Sequence, residues 1–123
     1  MAEVKLITPF VMTHNLDASL SFFTETLEFD CGYRMENYAF IHHKGHGIRL
    51  LKVEPSCDIG EQMIYLDVDD VDALYATLEP KLQNLASDRV RAPFDQPYLQ
   101  REFHVKDPDN CLLMFGTDVS SRA

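Results

Sequence analysis

The stretch Met63-Ile64-Tyr65-Leu66-Asp67-Val68-Asp69-Asp70-Val71-Asp72-Ala73-Leu74-Tyr75 decides the fold. Its first six residues alternate, with Ile64, Leu66 and Val68 on one side, the period of a half-buried strand. Asp69 or Asp70 then caps a helix. Val71, Leu74, Tyr75 and Leu78 recur at helical spacing along one side of it. The same junction occurs once before. Asn15 caps a helix whose Leu16, Leu20, Phe23 and Leu27 share a face, and Leu16-Asp17-Ala18 matches Val71-Asp72-Ala73 at an offset of 55 residues. A repeat of this length marks a duplicated unit.

Working outward, Lys5 to His14 reads as an extended stretch, with Pro9 implying an edge or a bend because proline cannot donate to a ladder. Cys31 to Met35 and Tyr38 to His42 read as strands joined by a turn at Glu36-Asn37. Lys44 to Gly47 is a second turn, and Ile48 to Val53 a third strand. In the second half a long polar connection follows the helix. Then come a strand from Arg101 to Lys106, the turn Asp107-Pro108-Asp109-Asn110, and a last strand from Leu112 to Phe115. Asn110 suits the positive-φ position of that turn. Each half is therefore a strand, a helix and two or three strands. This is an α+β fold of two tandem βαβββ modules, module 1 over about residues 1–55 and module 2 over about 60–120, in one domain of 1–123. One helix cannot cover a whole sheet, so such modules must pair.

Composition bounds the function. The 123 residues carry 20 acids against 11 bases, a net charge of −9, which opposes a phosphate backbone and argues against nucleic acid. It suits a cationic small molecule, and it also serves solubility. The 46% hydrophobic content is enough for a packed core. No apolar run approaches the roughly 20 residues of a membrane span, and Met1 to Lys5 has no signal-peptide character. Cys31, Cys57 and Cys111 are widely spaced and form no Cys-x-x-Cys pair, which predicts free, buried thiols in a reducing cytoplasm.

Three segments carry a resemblance. They are Pro97-Tyr98-Leu99-Gln100-Arg101-Glu102-Phe103-His104-Val105-Lys106-Asp107-Pro108-Asp109-Asn110 running on to Gly116, then Asp70 to Ala76, and Asn15 to Phe23. In this order they resemble the glyoxalase / bleomycin resistance / extradiol dioxygenase (vicinal oxygen chelate) superfamily. The resemblance implies two modules whose sheets curl around a crevice, with helices outside. Metal-using members place His, Gln or Glu ligands on the first and fourth strand of each module. Those positions fall here on Thr8, on Arg49 or its neighbours Leu50 and Leu51, on Met63 and on Met114. A thioether is a poor ligand for such ions and a guanidinium is none. The resemblance therefore points to the metal-free, cofactor-free branch, the bleomycin resistance proteins, which sequester a cationic drug. His42, His43 and His46 lie close in sequence, but His42 and His43 face opposite ways on a strand, and a polar hairpin end explains them without a metal.

Strand parity assigns the crevice lining of module 2. Tyr65 and Asp67 face inward beside Met63, Glu102 and His104 beside Met114. By resemblance, Tyr33, Tyr38 and Tyr98 take aromatic positions over the ligand. Aromatic faces with Asp67 and Glu102 suit a flat cation, while any single tyrosine reads first as half-buried packing, and Tyr65 with Asp67 reads equally as packing or as a site. The alternative is an enzyme of lyase, dioxygenase or isomerase type with a non-standard site around Glu102, His104 and Tyr65. The resemblance further implies a homodimer. As a hypothesis, Pro9 near the end of the first strand sets the hinge of an N-terminal arm exchanged between subunits, an exchange that a first strand paired within its own chain would reject.

Overall fold

The computed structural model describes residues 2–122, and it divides into two compact units, Met1–Gly60 and Glu61–Ala123. The first contains β1 (Phe10–Thr13), α1 (Leu16–Ser21), β2 (Asp30–Arg34), β3 (Tyr38–His43) and β4 (His46–Lys52). The second contains β5 (Met63–Asp67), α2 (Val71–Leu82), β6 (Val90–Asp95), β7 (Gln100–Lys106) and β8 (Leu112–Asp118). Each unit is a βαβββ module of α+β class, as the repeat predicts. The strand orders are β1-β4-β3-β2 and β5-β8-β7-β6, each with one parallel pair at the first strand and antiparallel pairs elsewhere.

The two junctions are built alike. Asn15 Oδ1 accepts from the Ala18 amide at 3.0 Å, and Asp70 Oδ1 accepts from the Ala73 amide at 3.1 Å, so Asp70 rather than Asp69 is the cap. α1 continues into a wide π-helical turn, Phe22–Thr26, in which the Leu27 amide donates to the Phe22 carbonyl at 3.2 Å. That turn keeps Phe23 and Leu27 buried with Leu16. One face of each sheet packs on its helix. Val11, Ala39, Ile41 and Leu50 form that layer in the first unit, and Phe103, Val105, Leu113 and Phe115 in the second. Phe103 stacks on Phe115 at 4.6 Å and meets the Tyr75 edge at 5.2 Å.

Several boundaries differ from the sequence reading. β1 starts at Phe10, not Lys5, and it pairs with β4 of its own chain, which rejects the exchange of the first strand between subunits. The Pro9 carbonyl accepts from the Arg49 amide at 2.9 Å, and ladder pairing begins beyond the proline, leaving Val4 and Ile7 exposed. The turn after β3 is only Lys44-Gly45, both at positive φ, so His46 and Gly47 belong to β4. The polar connection contains β6, an edge strand whose pairing slips between Arg91 and Phe94, around Pro93. Cys111 is buried, but Cys31 and Cys57 are exposed, Cys31 because edge strand β2 is exposed throughout. Asn110 takes φ 66°, as its turn requires.

Candidate functional site

Period-two alternation turns Phe103 and Val105 to the helix, and so turns Glu102 and His104 to the open face of the second sheet. Glu102 is fully buried there. A buried carboxylate is costly unless donors surround it, and three side chains supply them, with a fourth hydroxyl nearby. Tyr98 donates its hydroxyl to Oε2 at 2.5 Å, and Gln96 donates Nε2 to Oε1 at 3.1 Å. His104 Nε2 lies 2.8 Å from Oε1, and the Tyr65 hydroxyl interacts with the same carboxylate while donating to Gln100 Oε1 at 2.9 Å. Burial pushes the Glu102 carboxyl up, but the bonds from Tyr98, His104 and Gln96 and the nearby Tyr65 hydroxyl outweigh it and hold the group below its usual range. The tyrosines move the other way. Burial, followed by the Glu102 contact, raises the Tyr65 phenol, and the hydrogen bond to Glu102 raises Tyr98. Both therefore remain neutral donors at physiological pH.

The local fold makes this cluster possible. Tyr98 sits in the hairpin between β6 and β7, which is closed by the Gln96 amide donating to the Gln100 carbonyl at 2.7 Å and by Leu99 at φ 65°. Gly116 on β8 supplies the space. A Cβ there would lie 1.8 Å from the Tyr65 hydroxyl and 3.2 Å from Glu102 Cγ. His104 is paired across the sheet with Met114 on one side and Arg91 on the other. The Phe94 ring meets the His104 ring edge-on at 5.0 Å, and Arg91 lies 3.5 Å over Phe94.

Of the residues singled out from sequence, Tyr65, Tyr98, Glu102 and His104 thus form one connected group, with Met114 beside His104. Asp67 is exposed at the end of β5 opposite Gly116, and its charge adds only a minor push to Tyr65. Tyr33 and Tyr38 lie in the first unit, edge-to-face at 6.3 Å. Gln96, Gln100, Phe94 and Gly116 were not anticipated. An isolated glycine inside a strand was the one available signal, because it marks close approach of another group.

The metal-ligand positions are also placed. Phe10 pairs with Arg49 as Tyr65 pairs with Met114, and Phe10 and Tyr65 are 55 apart like the rest of the repeat. The equivalent of Met114 is therefore Arg49, not Leu50, which is buried under the helix, nor Leu51. Thr8 accepts from Arg49 Nε at 2.8 Å, and Met63 is exposed. His42 stacks on Phe40, His43 approaches Phe29, and His46 is exposed. Among the described residues, no three His, Cys, Asp or Glu side chains are grouped to hold a metal ion. No helix among them is long and apolar enough to cross a membrane.

The family model described as glyoxalase/bleomycin resistance protein/dioxygenase superfamily matches residues 5–115. The chain belongs to that superfamily. Solved structures agree with its fold. The bleomycin-binding protein of Streptomyces verticillus, complexed with copper(II)-bleomycin, superposes with a TM-score of 0.73 at 22% identity, covering 94% of this chain and 97% of its own. An antibiotic binding protein from a Streptomyces species gives 0.71 at 24% identity over 96% and 97%. A lactoylglutathione lyase from Agrobacterium tumefaciens gives 0.73 at 12% identity over 94% and 95%. At these identities the likeness establishes the fold and leaves binding and catalysis both represented. No curated protein sequence matches the chain.

Proposed function

We propose that the protein is a metal-free small-molecule binding protein of the bleomycin-resistance type, sequestering a planar, cationic or aromatic ligand. One observation carries this reading. A fully buried carboxylate, Glu102, fixes the rings of Tyr98, Tyr65 and His104 on one open sheet face. Such a face is rigid before any ligand arrives, which lowers the ordering cost of binding. Its aromatic rings attract flat and cationic groups. Glu102 contributes negative charge to that face, while its oxygens are occupied by the protein's own donors, so direct contact falls to the rings. The bleomycin- and antibiotic-binding structures of the same fold support the ligand class. The same proposal includes a homodimer and a role in antibiotic resistance. The exposed Cys31 and Cys57 fit a reducing cytoplasm.

Titration calorimetry with metal-free bleomycin tests the reading. Binding is expected in the wild type and should weaken about tenfold in Tyr98→Ala, the order of one lost stacking contact. No heat with bleomycin or with a simple planar cation such as proflavine overturns it. A second reading rests on the 2.8 Å contact between His104 Nε2 and Glu102, a carboxylate–imidazole pair of the kind that orients a general base. That reading requires a bound ligand to be chemically altered. Mass spectrometry of recovered ligand decides between the two.

A further inference from the structure

The open face of the first sheet is built differently. On β4, Arg49 points away from the helix, beside Phe40 of β3 and Phe10 of β1. Its Nε donates to the Thr8 hydroxyl at 2.8 Å and its Nη1 to the Tyr38 hydroxyl at 2.5 Å. Its Cζ lies 5.4 Å from the Phe40 ring centre. Gly47 leaves room for that ring, since a Cβ there would fall 2.4 Å from Phe40 Cζ. Arg34 and Arg101 both hold aspartates. Arg49 differs. Among the described residues its partners are two neutral hydroxyls and a ring, with no carboxylate.

The hydrogen-bond inventory of this group is one-sided. A guanidinium has five N–H donors and no acceptor, and two are used internally. Three remain. Because Thr8 and Tyr38 accept from Arg49, each keeps its own hydroxyl proton for another partner. The result is a convergent set of donors around one fixed positive charge, half-buried and walled by Phe40, Tyr38 and Tyr33. A group with spare acceptors and a single negative charge completes it, and the ring walls suit a flat body behind that charge.

We propose that Arg49, Thr8 and Tyr38 form a binding site for a carboxylate borne on an aromatic ring. A planar carboxylate matches the fork of a guanidinium in two parallel bonds. A phosphate dianion would bring a second charge that one arginine does not balance, against a chain already carrying −9. Arg49 occupies the strand position equivalent to Met114, where the family resemblance assigns a metal ligand. In this unit a fixed organic cation stands at that position. The proposal is independent of the reading of Glu102.

The test is an NMR titration of the labelled protein with benzoate, with benzamide and inorganic phosphate in parallel. Benzoate should shift the Arg49 Nε–H resonance, with a dissociation constant on the order of 1 mM for so small a ligand. Arg49→Met should weaken binding at least about tenfold and Tyr38→Phe about threefold, with Arg49→Lys between wild type and Met. An unmoved Arg49 resonance overturns the site. Equal binding of benzamide overturns its preference for an anion, and equal or tighter binding of phosphate overturns the aryl carboxylate assignment. Should Arg49→Met fail to fold, the wild-type Nε–H shift and the Tyr38→Phe affinity still decide.

Discussion

The two units share a topology, a register and a capping device, yet the open faces of their sheets carry opposite charges. In the first, Arg49 stands among hydroxyls and rings; in the second, Glu102 stands among donors. Tyr38 and Glu102 even share a place, each two residues before the residue paired with Arg49 or Met114. The helix-facing layers, by contrast, are apolar in both apart from Thr13, whose hydroxyl is hydrogen-bonded to Asn15. The difference shows which constraints a duplicated module cannot shed. Helix packing and backbone pairing fix alternate residues of every strand, because each buried polar group there would cost stability. The other alternate residues are free of that constraint, and in the two units they carry opposite charges.

The largest effect should separate the two central charges. Glu102 has no exposed surface, so Glu102→Ala strips a carboxylate from the half-buried Gln96 and His104 and the exposed Tyr98, and leaves a void. A loss of about 3 kcal/mol is expected in urea denaturation. Arg49 is reached by solvent and bonds only neutral groups, so Arg49→Met should cost no more than about 1 kcal/mol. Equal costs would mean that Glu102 is as open as Arg49, and the contrast between the units would collapse.

A second difference lies at the final hairpin. In the first unit Lys44-Gly45 makes a two-residue turn. In the second, Asp107 is buried at the turn, with Oδ1 accepting from the amides of Asp109 and Cys111 at 2.8 Å and Oδ2 unpaired among the described residues. Burial lifts its pKa to about 6, against 3.8 normally, although the two amides oppose it. The folded state therefore holds this proton more tightly than the unfolded chain. The associated stability is complete below about pH 4, declines as pH rises towards 6 and is absent above it. Asp107→Asn keeps the Oδ1 acceptor and removes the charge. It should stabilise the protein by about 1–2 kcal/mol at pH 7.5 and flatten the decline. Glu102 runs the opposite way, because its lowered pKa gives stability that disappears as pH falls below the normal range near 4.5. A pH–stability curve of Asp107→Asn that keeps the wild-type slope between 4 and 6 would show that the turn carboxylate is solvated.

Thiol chemistry gives a smaller, all-or-none contrast. Burial pushes the Cys111 thiol up to about 12, with the nearby Asp107 and Asp109 charges adding to it, while Cys31 and Cys57 are exposed. Native protein at pH 8 should react with a disulfide reagent at two thiols and expose the third only in denaturant. Rapid reaction of all three would place the second unit's turn in exchange with an open state.

Much of this was legible in residue spacing. The caps, the helix faces and the parity of β5, β7 and β8 follow from local rules, since period and capping chemistry act over a few residues. β6 was not legible, because Pro93 and the slip beside it interrupt the alternation that identifies a strand. Nor was the burial of Glu102. Its partners come from the preceding hairpin, from its own strand and from β5, and only the β5–β8–β7 register brings Tyr65 across Gly116 to reach it. The choice of Arg49 over Leu50 and Leu51 likewise needed the β1–β4 pairing, in which Phe10 takes the place of Tyr65. Cross-strand neighbours depend on long-range pairing, which no local window contains.

The smallest effect tests the part of the comparison in which the units should agree. Asn15 and Asp70 make the same bond to the amide three residues on, at 3.0 and 3.1 Å, from the same extended backbone conformation. Asn15→Ala and Asp70→Ala should each cost about 1 kcal/mol. Two refinements set their order. Asp70 carries a charge that favours the positive end of its helix, and α2 runs for 12 residues with Pro80 only in its last turn, whereas α1 has six residues before its π-helical turn. The Asp70 loss should therefore exceed the Asn15 loss by a few tenths of a kcal/mol and shrink towards it in high salt, because screening removes the dipole contribution and leaves the hydrogen bond. An Asn15 loss that is larger, or an Asp70 loss insensitive to salt, would show that the two junctions match in geometry but not in energetics.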